Sequence, residues 1–122
     1  MKPLAISPTY NEKKNIIELI NRVLNSYKNI DILIVDDASP DGTSSIVKKA
    51  MIDSNRIHLI ERSGKLGLGT AYCAGFKWAL ERDYDRIIQI DADMSHNPND
   101  IEQLLNESIS ADLIIGSRYI NG

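Results

Sequence analysis

Residues 32–43 read ILIVDDASPDGT, and the order of chemistries in that stretch decides the fold. Four aliphatic residues in succession, Ile32 to Val35, leave no polar position for a solvent-facing side, which is how a strand covered on both faces reads. Asp36 and Asp37 end the run. SPDG then supplies a strong turn, with Asp41 or Thr43 placed to start a helix. A doubly covered strand that passes through a short turn into a helix is the repeating unit of a parallel sheet.

Working outward, the same unit recurs. A short strand at 4–7 precedes Ile16, Leu19, Ile20, Val23, Leu24 and Tyr27, which repeat at helical spacing. Beyond the opening stretch, strands at 57–60, 87–90 and 113–115 alternate with helices at about 43–51, 69–82 and 98–109. The helix at 69–82 carries Ala71, Ala74, Gly75 and Trp78 on one face, with Tyr72, Phe76 and Leu80 beside it, which predicts wide burial. Five strands and four helices in strict alternation predict an α/β fold. It is a doubly wound, mostly parallel sheet with right-handed crossovers and helices on both faces, in one domain over residues 1–122.

A chain of 122 residues can bury one real core. Its formal net charge of −3, with acids and bases interspersed, offers no basic stripe for nucleic acid and no cationic face for anionic lipid. The lone Cys73 cannot form an internal disulfide and reads as a small buried hydrophobe in a reducing compartment. MKPLAISPTY lacks the apolar core of a signal peptide, and no apolar run is long enough to span a bilayer. A cytoplasmic chain is expected.

In doubly wound sheets, ligands bind beyond the carboxyl ends of the strands. Every chemically interesting cluster falls on that edge: PTYNE (8–12), DDASPDGT (36–43), ERSGKLGLG (61–69), DADMSH (91–96) and GSRY (116–119). The opposite loops, SYKNID (26–31) and ERDYDR (81–86), read as solvated connections.

Asp91 and Asp93 project from the same side of an extended segment, roughly 6–7 Å apart. Asn97 and Pro98 already serve as cap and first-turn proline of the next helix, so the two carboxylates are free to hold a hard cation, Mg2+ or Mn2+. His96 reads as a turn residue or substrate contact. Neither Asp36 nor Asp37 is needed for the SPDG turn, so one of them, Asp37 in preference, is expected to accept hydrogen bonds from ligand N–H or O–H groups. Thr9 and Glu12 have capping-box spacing, while Pro8, Tyr10 and Asn11 sit where a base or ribose could rest, so structural and binding roles both stand. GKLGLG matches neither a P-loop nor a dinucleotide fingerprint; its glycines suit a tight turn and close helix packing. Lys65 and Arg62 lie within reach of a phosphate. Arg118 suits a bidentate phosphate grip or is a solvated surface arginine, and His58, inside a strand, reads as structural.

PTYNE, VDDASPDGT, KLGLGTAY, DADMSHNP and GSRY, in this order, resemble the N-terminal part of family-2 inverting glycosyltransferases with a GT-A fold, and more narrowly polyprenyl-phosphate (dolichyl-phosphate) mannosyltransferases. The resemblance implies that Pro8, Tyr10, Glu12 and Asp37 hold the nucleoside and that Lys65 lies near the ribose or phosphate. It also implies that Asp91 and Asp93 hold Mg2+ or Mn2+ and the diphosphate, and that Arg118 meets phosphates or acceptor. The donor it implies is GDP-mannose, the acceptor a polyprenyl phosphate at a membrane surface, with no nucleic acid involved. Members of that family continue well past Gly122, so a nucleotide-binding half lacking the C-terminal part is expected. Two other classes fit the alternation: a phosphoreceiver signalling domain, and a nonenzymatic nucleotide-sugar-binding module. In the receiver family the acidic pair follows the first strand and a lysine the fifth; here Asp36 and Asp37 follow the second strand and Arg118 the fifth.

Overall fold

The six-residue strand β2 (Asp31–Asp36) is buried at every position, as its aliphatic run requires. A computed structural model describes residues 2–64 and 67–92. Around β2 lie β1 (Pro3–Thr9), β3 (Ile57–Glu61) and β4 (Arg86–Gln89), joined by helices α1 (Ile16–Ser26), α2 (Thr43–Asp53) and α3 (Leu68–Leu80). All strand pairs are parallel, in the order β3-β2-β1-β4. The helix expected at 98–109 and the strand expected at 113–115 lie outside the described residues.

Alternation along the strands sorts side chains into two layers. Ala5, Ile32, Ile34, Ile88 and Ile90 face α1 and α2, where Ile16, Leu19, Ile20, Val23 and Val47 meet them. Leu4, Ile6, Leu33, Val35 and Ile87 face the other way, onto Ala71, Tyr72 and Ala79 of α3. The sheet is therefore doubly wound, and burial of each large aliphatic side chain contributes about 1.5–3 kcal/mol. Gly75 is the closest point of the α3 layer: a Cβ there would lie 2.7 Å from Ile6 Cγ2.

Strand order separates this fold from the signalling domain considered above. From β1 the chain winds outward through β2 to β3, then returns to the other side of β1 for β4. Receiver domains instead follow the 2-1-3-4-5 order, with β3 beside β1. The phosphoreceiver reading is set aside on that ground.

Three expectations need correction. The capping box does not form: Thr9 belongs to β1 and donates its hydroxyl to Asp36 Oδ1 at 2.6 Å, while α1 starts only at Ile16, after Asn15. Cys73 is exposed, because the buried positions of α3 are Ala71, Tyr72, Gly75 and Ala79. Leu80 is 79 % exposed, past the last turn that the sheet covers, so α3 is buried on one side rather than widely.

The edge at the strands' amino ends is built for cohesion. Asp31 Oδ2 accepts from Tyr84 Oη at 2.6 Å and from His58 Nε2 at 3.0 Å, tying β2, β3 and the α3–β4 loop together. Trp78 stacks with Tyr84 and lies 5.0 Å from His58, with the Arg82 guanidinium 3.7 Å above the indole. Arg56 donates to the carbonyls of Leu24, Tyr27 and Ile30. His58 is structural, as its place in a strand suggests, and the ERDYDR loop is more than a solvated connection.

Candidate functional site

The winding reverses between β1 and β4, so the switch point of the sheet is the gap between their carboxyl ends. A proline keeps that gap from closing. Ile6 directs its backbone polar groups at β4, where its carbonyl accepts from Ile90 N–H at 3.0 Å. Two residues on, Pro8 faces the same way and has no N–H to give. The β1–β4 register accordingly ends at Ile6 and Gln89, whereas β1 and β2 stay paired through Thr9 and Asp36.

Alternation places the chemistry. Leu4 and Ile6 face α3, so Pro8 does too; Leu33 and Val35 carry Asp37 to that face, and Ile87 carries Asp91 there. Asp37 and Asp91 thus flank β1 on one face of one edge, separated by about two strand spacings, roughly 10 Å. Tyr10, 38 % exposed, follows immediately after β1.

Each of these groups is held differently. Asp37 takes a two-pronged grip from Arg62, Nε to Oδ1 at 2.6 Å and Nη2 to Oδ2 at 2.8 Å, with both side chains about nine-tenths buried. These bonds, offset in part by burial, push the guanidinium's pKa still higher, so Arg62 stays charged. Arg62 also donates to Thr70 Oγ1 and the Gly67 carbonyl, pinning Asp37 to the start of α3, where Gly67 adopts φ +104°. Asp91 Oδ1 accepts from Tyr72 Oη at 3.1 Å, a bond that fixes the carboxyl group's direction. Glu12 Oε2 is buried and finds no hydrogen-bond partner among the described residues.

Asp36 is engaged within the fold. Only 1 % exposed and turned to the other face, it accepts from Thr9 Oγ1, Ser39 Oγ and Ser39 N–H. Of the predicted residues, the structure brings Pro8, Tyr10, Glu12, Asp37 and Asp91 to one edge; Lys65, Asp93 and Arg118, with His96 and Asn97, lie outside the described residues. Sequence reasoning aimed Arg62 at a phosphate and missed its pairing with Asp37. Tyr72 was read as core only.

The edge offers hard oxygen donors, the type Mg2+ and Mn2+ prefer. Among the described residues no three His, Cys, Asp or Glu side chains cluster tightly enough to enclose a metal. A cation completed by phosphate and water needs only one or two carboxylates, and Asp91, directed by Tyr72, fits that part.

Fold and edge together define a doubly wound α/β domain with an acidic switch point, the place where sheets of this kind bind ligands. The chain belongs to glycosyl transferase family 2, whose model matches residues 5–122. It is similar to a polyprenol monophosphomannose synthase of Mycolicibacterium smegmatis, 45 % identical over 123 residues, which cover 99 % of this chain and 46 % of that protein. It is also similar to a dolichol-phosphate mannosyltransferase of Pyrococcus furiosus, 40 % identical over 128 residues, 100 % of this chain and 34 % of that one. The chain thus spans half or less of the length of these curated relatives. Among solved structures, residues 1–349 of TarS from S. aureus superpose with TM-score 0.67 and 26 % identity, over 88 % of this chain and 33 % of that one. A mannosyltransferase of Pyrobaculum calidifontis in complex with GDP-Man and Mn2+ gives TM-score 0.65 at 24 % identity, over 81 % of this chain and 29 % of that one, and so shares the fold. The fold is that of the GT-A glycosyltransferases. Among the described residues no helix is long and apolar enough to cross a membrane.

Proposed function

We propose that this chain is the nucleotide-sugar-binding part of a hexosyltransferase that moves mannose from GDP-mannose to a polyprenyl phosphate, with inversion at the anomeric carbon. The observation that carries the reading is the placement of Pro8, Asp37 and Asp91 on one face of the β1–β4 switch point, with Tyr10 immediately after β1. The curated relatives, named for mannosyl transfer to polyprenyl carriers, support the choice of sugar and acceptor.

In this reading the base lies towards β2. Asp37 and Arg62, side by side, present a row of acceptor and donor that suits the N–H and C=O edge of a nucleobase. Tyr10 and Glu12 of the β1 loop would flank the ribose, and Lys65 would act on ribose or phosphate. About 10 Å further along the edge, Asp91 marks the diphosphate end. Asp91 and Asp93 would hold Mg2+ or Mn2+, which supplies Lewis-acid neutralisation of the charge growing on the departing diphosphate. Tyr72 keeps the Asp91 carboxylate aimed at that position. Arg118 would grip phosphate in the bidentate manner of guanidinium groups. An acceptor phosphate is already anionic, so no side chain is needed to remove a proton from it. The work would be done by a cytoplasmic domain lying peripherally at the membrane surface that holds the acceptor.

Calorimetric titration with GDP-mannose and with UDP-glucose, each with and without Mn2+, tests the donor. Tight, Mn2+-dependent binding of GDP-mannose alone is expected; a preference for UDP-glucose would overturn the choice of nucleotide and sugar. Binding without any transfer by the full-length protein to a polyprenyl phosphate would favour the nonenzymatic module instead.

A further inference from the structure

The stretch SPDGT, which the sequence explains only as a turn and helix start, does something else in the folded chain. Three consecutive backbone N–H groups of the loop after β1 each end on a side-chain oxygen from it. Asn11 N–H donates to Ser39 Oγ at 2.8 Å, Glu12 N–H to Thr43 Oγ1 at 3.1 Å and Lys13 N–H to Asp41 Oδ2 at 3.0 Å. The acceptors stand at every second position, 39, 41 and 43. Each is itself aimed: Ser39 donates its hydroxyl to the buried Asp36, and Thr43 donates its own to Asp41. Ser39 directs its single proton at Asp36 Oδ1, which turns a hydroxyl lone pair to Asn11. Asp41 is held below the usual carboxylate pKa, first by the Thr43 hydroxyl, and so stays an acceptor.

The clamp also holds an unfavourable backbone. Asn11 sits at φ +56° and Ala38 at φ +54°, both in the left-handed region, one on each side of the Asn11–Ser39 bond. Neither is glycine, and a β-carbon makes that conformation costly, more so for alanine than for asparagine. Strain of this kind persists only where surrounding bonds over-determine it.

We infer that Ser39, Asp41 and Thr43, with Asp36 behind them, are positioning residues that hold the Tyr10–Lys13 loop in its ligand-receiving shape. Resting on the donor-binding reading above, the inference also assigns the loop's chemistry. With the Asn11, Glu12 and Lys13 amides taken, those three N–H groups are not offered to a phosphate, and the loop meets the donor chiefly through the side chains of Tyr10 and Glu12. The diphosphate is left to the β4 side of the gap.

Amide hydrogen exchange on the full chain tests the clamp, and titration with GDP and with UDP in Mn2+ tests its purpose. The amides of Asn11, Glu12 and Lys13 should be protected in the parent. In Ser39→Ala the Asn11 amide should exchange about tenfold faster, the worth of one hydrogen bond, and the nucleotide should bind about tenfold more weakly. Ser39→Thr, which keeps the hydroxyl, should restore both, whereas a residue important only for folding would lower the melting temperature without this hydroxyl-dependent split. Unprotected amides in the parent would overturn the clamp. A Ser39→Ala variant with a freed Asn11 amide but nucleotide affinity within about twofold of the parent would overturn the positioning role. If the folded parent binds neither nucleotide, the donor reading fails by itself, and the exchange rates still decide the clamp.

Discussion

Pro8 shows how one missing hydrogen can shape a site. Pro8→Ala would return an N–H aimed at β4, let the ladder run past Ile6 and Gln89, and narrow the gap beside Asp91. Stability to urea should hold or rise by about 1 kcal/mol, the net value of a backbone bond, while GDP-mannose affinity falls. An unchanged affinity would show that the gap does not depend on the proline. Asp91→Asn tests the other side: metal-dependent transfer by the full-length protein should drop by about a hundredfold or more, in line with the loss of a group aimed at transition-state charge. The two carboxylates differ in how far the sequence discloses them. The position of Asp91 at the switch-point edge was legible because a strand ran straight into it. The partner of Asp37 was not, since Arg62 lies 25 residues away and only the β2–β3 pairing brings them together.

Helices and strands were legible from periodicity, because Ile16, Leu19, Ile20, Val23 and Leu24 of α1 and the unbroken run of β2 have no other comfortable arrangement. What periodicity misreads is how far a neighbour reaches. Leu80 continues the apolar stripe of α3 yet meets solvent, and the Thr9–Glu12 spacing of a capping box is overridden by the pull of the β1–β2 ladder on Thr9. Close packing is equally invisible in one dimension. Gly75→Ala would gain about 1 kcal/mol in helix propensity. The new methyl, however, would collide with the branched, buried Ile6. A net loss of about 1–3 kcal/mol is expected from overpacking, measured by urea denaturation. Any gain in stability would show that α3 can shift off the sheet at no cost.

Across the whole molecule, the alternation predicted the layers but could not order the strands, since β3-β2-β1-β4 and the receiver order read identically along the chain. Only the observed order located the switch point and placed Pro8, Asp37 and Asp91 along it. The opposite end has its own pH signature. Burial, then the bond to Asp31, raises the Tyr84 hydroxyl's pKa above its ordinary value. Its contribution is therefore complete below about pH 10, where the unfolded phenol begins to ionise, and fades as pH climbs towards the folded value. Thermal melts from pH 8 to 11 should show this alkaline decline, and Tyr84→Phe should flatten it; equal slopes in both proteins would remove Tyr84 as its source. Cohesion and the proposed recognition site thus occupy opposite poles of one sheet. A fluorophore attached near Asp83, or drift in the amino-end loops over generations, would leave the proposed donor-binding pole untouched, so specificity and robustness can be tuned as separate traits.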